Sequence, residues 1–297
     1  MSPLSQTRAY VALLLIVALW GSYPATAKLA LADLPPFLLV TLRCLLASAF
    51  LAILLARHGF EEAWALTWRD LPGLGFLAFS GIFISTGFTY LAIYLTTASN
   101  AVILQATTPV MVVLGARLYL GERLGRLQWA GVACSTVGVL FVVTRGQWAA
   151  LRLANLQVGD FLVLFACSGW SVYTIYGKRV LAAQSPALAT TAAYVLGSLM
   201  LVPLAVATAP LFPAPRLASP IAWGVVLYQA SLGALAHVWW YEGVKAVGPS
   251  RTAIFMNLQP AVGVLLARAL VGESIGLAQV LGGLAVLVGV ALTTRQK

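Results

Sequence analysis

Along this chain apolar residues run in stretches of about twenty, and what interrupts them is proline, glycine and small clusters of charge. A helix rises about 1.5 Å per residue, so roughly 20 residues are what about 30 Å of hydrocarbon demands. Divided at the interruptions, the pattern predicts ten transmembrane helices over residues 9–32, 36–57, 71–93, 98–119, 127–144, 159–181, 187–207, 220–244, 250–270 and 276–294. The linkers are short, and the longest, 207–220, holds Pro210, Pro213, Pro215 and Pro220 and cannot be helical, so its neighbours are separate spans. The first apolar stretch is too long for a signal peptide and no polar region follows it; it is read as the first span. The expected fold class is an all-α polytopic membrane protein, a single membrane domain over residues 1–297.

Composition points the same way. With 61% apolar and 9% charged residues the chain lacks the charged surface of a soluble protein, about a quarter of all residues. The formal charge of +10 comes from basic residues set singly in short loops, which form no stripe for nucleic acid and instead report topology. With the N-terminus inside, twelve Lys and Arg fall on the cytoplasmic side and five on the other, with Arg43 inside the second span. Both termini are therefore expected in the cytoplasm, across a bacterial-type inner membrane. Cys44, Cys134 and Cys167 fall within apolar runs, and only His58 and His237 could join them, so neither a metal site nor a cofactor is expected. Paired mid-span carboxylates, a phosphate loop and a nucleophile elbow are all missing from the sequence, which argues against an intramembrane enzyme.

An internal repeat refines the picture. Residues 99–144 align without gaps to 250–295, an offset of 151, with identities at Pro109/Pro260, Arg117/Arg268, Gly121/Gly272, Glu122/Glu273, Gly131/Gly282 and Gly138/Gly289. Upstream, Trp20 meets Trp170, Tyr23 meets Tyr173 and Tyr90 meets Tyr241. The repeats cover 9–144 and 159–294. Five spans is an odd number, so the second copy must enter the membrane from the opposite side, giving two inverted five-helix repeats around a central cavity.

The Trp20–Gly21–Ser22 start, the Leu42–Arg43 element and the Leu120–Gly121–Glu122–Arg123 hinge followed by Gln128 and Gly131 resemble the drug/metabolite transporter superfamily, and within it the EamA-type exporters. The resemblance extends over essentially the whole chain. It implies export of amino acids or other small metabolites with cytoplasmic termini, and one member type exports aromatic amino acids.

Polar and aromatic residues in mid-span are the candidate solute contacts, because polar groups are costly in lipid and face a cavity or a partner. Trp20 and Tyr23 share a helical face, as do Trp170 and Tyr173; Tyr90 pairs with Thr86, and Tyr241 with His237. Arg43 could clamp a carboxylate or serve as a snorkelling structural residue. Pro109 and Pro260 break backbone hydrogen bonding beside Gln105 and Asn257, making hinges with amides at hand. The expected substrate-binding set is thus Trp20, Tyr23, Arg43, Tyr90, Gln105, Trp170, Tyr173, His237, Tyr241 and Asn257. Small residues at Gly131, Ser135 and Gly138, and at Gly282, Ala285 and Gly289, predict a close helix pair, with a dimer seam as the alternative. Arg117 with Glu122, and Arg268 with Glu273, are expected to form loop ion pairs or helix-end contacts. The partners are a small solute and the bilayer, no nucleic acid, with the protein a monomer or weak homodimer. The expected function is a secondary exporter working by alternating access. Amino acids lead; aromatic cations, other drugs or nucleosides are the alternatives, followed by a channel or a non-transporting scaffold.

Overall fold

The computed structural model describes residues 6–57, 66–120, 125–143, 146, 157–247, 252 and 255–294, with the backbone alone at 6–10, 116, 120, 143, 247, 257–258 and 293–294. All regular secondary structure among the described residues is helical. Helices α1 (Gln6–Gly21) and α2 (Tyr23–Ala30) are followed by α3 (Pro36–Arg57). A continuous rod then joins α4 (Leu71–Leu77), a π-helical stretch (Ala78–Gly87) and α5 (Phe88–Leu95). Next come α6 (Ala98–Gln105), α7 (Thr108–Leu120), α8 (Arg126–Val143), α9 (Val158–Val180), α10 (Pro186–Thr208) and α11 (Pro220–Val247). A 3-10 turn (Phe255–Leu258) runs into α12 (Gln259–Val271), and α13 (Leu277–Thr294) ends the chain.

Seven helical stretches among the described residues are long and apolar enough to cross a membrane, and Arg126–Val142, Gln259–Val271 and Leu277–Leu292 are shorter apolar helices. Each of these ten stretches overlaps one of the predicted spans, the three shorter ones over part of its length. The physical causes of the helix bounds are visible. Proline starts α3, α10 and α11 because its missing N–H is unneeded in a first turn. Ser185 and Thr97 cap α10 and α6 by accepting from the amides of Leu188 and Asn100. The first span is not one helix but breaks at Ser22, whose hydroxyl turns back to the Leu19 carbonyl at 2.6 Å and meets the Tyr228 hydroxyl at 2.8 Å. In the middle of the third, the Thr86 hydroxyl bonds the Gly81 carbonyl five residues back, within the widened π turn.

Pro109 acts at a helix start instead of kinking a helix. The fourth span stops at Gln105 and restarts at Thr108; the Gln105 carbonyl, which Pro109 cannot serve, accepts from the Thr108 hydroxyl at 2.6 Å. Pro260 holds the equivalent second position of α12.

Packing follows the repeat. The first span packs on α11 and α9 on the third span; α3 packs on α11 and α10 on the third span. Helix α3 meets α10, and α8 meets α13 in the most extensive contact of the fold. Residues 150 or 151 apart touch across these seams: Trp20 with Trp170, Arg43 with Tyr194, Ser48 with Ser198, and the Cys134 thiol with the Ala285 carbonyl. Since lipid tails are as apolar as a leucine side chain, close van der Waals approach is what holds such helices together. A Cβ on Gly138 would lie 2.7 Å from the Gly282 carbonyl oxygen, and one on Gly282 would lie 2.8 Å from that of Gly138.

The two ends are tied by polar contacts. At one, Asp33 accepts from the Ser219 hydroxyl at 2.6 Å and pairs with Arg216 at 3.4 Å. At the same end Lys28 donates to the carbonyls of Ile93 and Thr96, the last turn of α5. Glu273 lies there too, and of the two expected arrangements it takes the helix-end contact and not an ion pair with Arg268. Gly272, at φ +70°, ends α12 in the left-handed region and turns Glu273 onto the start of α6 instead. There its carboxylate accepts from the amides of Ala98 and Ser99 at 2.7 and 2.9 Å and from the Ser99 hydroxyl at 2.7 Å. Glu122 lies outside the described residues. At the opposite end the amide and hydroxyl of Thr67 donate to Asp70, holding its carboxyl below the usual range, and Gln184 reaches the same side chain at 3.2 Å.

Candidate functional site

Where the broken first span, the π-helical stretch and the two interrupted proline helices converge, they leave a cavity of about 100 Å³. At roughly 10–15 Å³ per water on this measure, it has room for several waters or one small solute. Helix breaks are what make room for it: an unbroken helix presents side chains at a fixed pitch, whereas Ser22, the Gly81–Thr86 turn and the Gln105–Thr108 gap each set backbone aside.

The apolar wall is a cluster of interlocked rings. Trp20 and Trp170 meet edge to face at 5.1 Å, and both contact His237, at 4.9 and 5.3 Å. Trp240 backs the pair at 5.3 and 5.7 Å, fully buried and behind the cavity surface. Edge-to-face pairs at such separations contribute about 0.5–1.5 kcal/mol each beyond their area.

The polar wall centres on Arg43, which is 1% exposed. Its guanidinium carbon lies 5.3 Å from the Tyr23 ring centre and 5.7 Å from that of Tyr90, so two ring faces stabilise the cation. Nη2 donates to the Tyr194 hydroxyl at 3.2 Å and Nε reaches the Gln229 carbonyl at 3.4 Å. Tyr90 donates to the Gln229 side-chain oxygen, and the Gln229 amide donates to the Thr26 hydroxyl at 2.9 Å. His237 places Nδ1 2.8 Å from the Gly233 carbonyl and 3.1 Å from the Tyr194 hydroxyl; a carbonyl only accepts, so Nδ1 carries a proton.

Of the residues singled out from the sequence, Trp20, Tyr23, Arg43, Tyr90, Gln105, Trp170 and His237 line the cavity. Tyr173 and Tyr241 do not. They stack on each other at 4.8 Å and 22°, and Tyr241 donates to the Tyr173 carbonyl at 3.3 Å, so both rings stand behind Trp170 with no exposed surface. The Asn257 side chain lies outside the described residues. Pro109 and Pro260 shape the helix starts beside the cavity without lining it.

Other wall residues escaped the sequence reading. Gln259 lines the cavity in the stretch where Asn257 was chosen, and its repeat mate is Thr108; Met256 lines it too, and its mate is Gln105. Gln259 is an amide beside Pro260 as Asn257 is, whereas Met256 is apolar and carries no such mark. Thr86, which the sequence sets on one face with Tyr90, stands with it on the wall, and Ser85 and Thr89, one helical turn apart, join them. Gln229 and Tyr194, which hold Arg43, carried no signal of their own. The usable clue to Tyr194 was its position 151 residues after Arg43.

The geometry can be set beside known proteins. The family model described as EamA-like transporter family matches residues 7–144 and again 157–295. An uncharacterized transporter of Archaeoglobus fulgidus is 30% identical over 293 residues, covering 98% of this chain and 99% of its own. A protein of Salmonella typhimurium named a probable amino-acid metabolite efflux pump is 28% identical, over 93% of this chain and 91% of its own. A solved crystal structure, 18% identical, superposes with a TM-score of 0.68 over 97% of this chain and 96% of that one, and so shares the fold. The family and these named relatives are transporters, not enzymes. A helical membrane chain in which the same family pattern occurs twice, around a cavity lined from both copies, is a multi-pass membrane transporter belonging to the EamA-like family of the drug/metabolite transporter superfamily.

Proposed function

We propose that this transporter exports small organic metabolites, with amino acids the leading class, by alternating access between ten spans arranged as two inverted five-helix repeats. The observation that carries the reading is that Trp20 and Trp170, symmetric positions in the two repeats, meet at the cavity wall. A solute held there touches both halves, so a rocking motion of one half on the other changes its access while the contacts persist. Shape differences between mates support this reading. The first span is broken where α9 is continuous, and the third carries a π stretch where α11 has none. Tyr23 and Tyr90 flank Arg43, whereas their mates Tyr173 and Tyr241 stack directly. In an inverted pair, exchanging those shapes opens the opposite face. Pro109 and Pro260, at restarted helices, are the proposed hinges.

Two measurements test it. Proteoliposome counterflow with labelled amino acids and nucleosides should show uptake that Trp20→Ala and Trp170→Ala each reduce by at least roughly tenfold, about 1.4 kcal/mol of lost ring contact; folded protein that moves no solute would end the export reading. Reporters placed in the mate loops at 31–35 and 181–185 should map to opposite membrane faces, with both termini cytoplasmic. Finding the two loops on one face would remove the inversion, and with it the alternating-access argument.

A further inference from the structure

The charge of the cavity is lopsided. Among the described residues Arg43 is the one formally charged side chain on its wall, and no carboxylate lines it. Two acidic side chains are engaged elsewhere: Glu273 with the start of α6, and Asp160 with the Thr96 hydroxyl at 2.5 Å and the Asn100 amide. Arg43 donates to the Tyr194 hydroxyl and the Gln229 carbonyl, and the Tyr23 and Tyr90 hydroxyls lie within its reach; all four are neutral oxygens. An isolated buried cation is costly unless it meets an opposite charge, and the ring faces of Tyr23 and Tyr90 supply only part of one. Around it, Trp20 Nε1 and Trp170 Nε1 are buried without a hydrogen-bond partner. Both belong to wall residues, and an indole N–H can only donate.

We infer that the group recognised at this site is a carboxylate on a flat, unsaturated body, and that an ammonium group on the solute is not required. One guanidinium matches one negative charge, which favours a monocarboxylate over a phosphate dianion. The unpaired indole N–H groups donate to acceptor atoms on the solute, and the faces of the Trp20–Trp170–His237 cluster take its ring. Nothing on the wall carries the negative charge that would single out an amine. The inference rests on the export reading and widens its solute class from amino acids to aryl and related monocarboxylates, while setting aside aromatic cations.

The test uses the purified full-length protein and four probes of one ring system: indole-3-acetate, tryptophan, tryptamine and indole-3-acetamide. Binding is read by thermal shift and competition, and transport by counterflow. Indole-3-acetate and tryptophan should bind within about tenfold of each other, and both at least about tenfold more tightly than tryptamine or indole-3-acetamide. Arg43→Gln should erase that preference and Arg43→Lys should retain part of it. Should Arg43→Gln not fold, Trp170→Phe keeps a ring and removes one donor, and should weaken indole-3-acetate by about ten- to a hundredfold, the loss of one hydrogen bond to a charged group. Tryptamine or the amide binding as well as the acetate would overturn the inference while leaving export standing. Binding of none of the four by folded protein would overturn it too, with export then decided by the wider counterflow panel.

Discussion

Replacing Gly138 with leucine is expected to cost this protein its folded yield, not a fraction of its activity. Gly138 sits where α8 and α13 run backbone against backbone, and a Cβ there would lie 2.7 Å from both the Gly282 carbonyl oxygen and the Val286 amide nitrogen. Overpacking a core whose side chains can step aside costs about 1–3 kcal/mol. Here the obstacles are main-chain atoms of the neighbouring helix, so a larger side chain must push the helices apart along their whole seam, and the cost falls at the upper end or beyond. Gly289, the repeat mate, faces the same constraint from the other helix: its Cβ would lie 2.6 Å from the Gly131 carbonyl oxygen. Gly224 is the control, since a Cβ added there meets nothing within 4 Å, and alanine in that helix is expected to be neutral or stabilising by up to about 1 kcal/mol. Melting temperature and monodispersity in detergent decide the matter. A Gly138→Leu protein that purifies and melts like the Gly224→Ala control would show that the seam is not tight.

Removing the Glu273 carboxylate is expected to have the next largest effect, and to act on one end of the molecule. Three donors converge on it, the amides of Ala98 and Ser99 and the Ser99 hydroxyl, and the amides form the first turn of α6, where the helix dipole also favours an anion. Hydrogen bonds to a charged group are worth about 1.5–3 kcal/mol each but are not additive within one cluster. Glu273→Ala should therefore lower stability by about 2–4 kcal/mol, and Ser99→Ala, which deletes one of the three bonds, by less. The latch joins a residue of the second repeat to a helix start in the first, so its loss should also loosen that end: a cysteine at Ala98 should react faster with a membrane-impermeant maleimide in the Glu273→Ala background. A double-mutant cycle with Ser99→Ala should show coupling of at least roughly 0.5 kcal/mol. Simple addition of the two effects would mean that the carboxylate and the hydroxyl do not act together.

How much of the site could be read in advance varies residue by residue, for identifiable reasons. Trp20 and Trp170 were legible twice over, as large rings in mid-span and as repeat mates, and both stand on the cavity wall. Arg43 was legible because a guanidinium in an apolar run calls for an explanation. Tyr173 and Tyr241 satisfied the same criteria as Tyr23 and Tyr90, yet stack on each other behind the wall. A one-dimensional symmetry assigns mates the same surroundings, whereas the folded chain holds the two halves in different shapes. Gln259 stood beside Asn257 at the Pro260 break, where the sequence alone does not say which of the two amides faces inward, and Met256 is apolar and so gave no sign.

What the amino-acid order determined by itself was the part that depends on local physics and on length: that the chain lives in lipid, where its helices start, that it contains the same unit twice, and which small-residue faces could approach closely. Each follows from hydropathy, from the missing N–H of proline or from the absent side chain of glycine, all of which act over a few residues. What only the tertiary structure decided was where helices part from their regular course, at Ser22, across Gly81–Thr86 and between Gln105 and Thr108, and which polar groups those departures gather around Arg43. Those choices depend on contacts between residues 139 to 186 positions apart, such as Tyr90 with Gln229, Arg43 with Tyr194 and Arg43 with the Gln229 carbonyl, and interactions of that range have no counterpart in any local pattern of the chain.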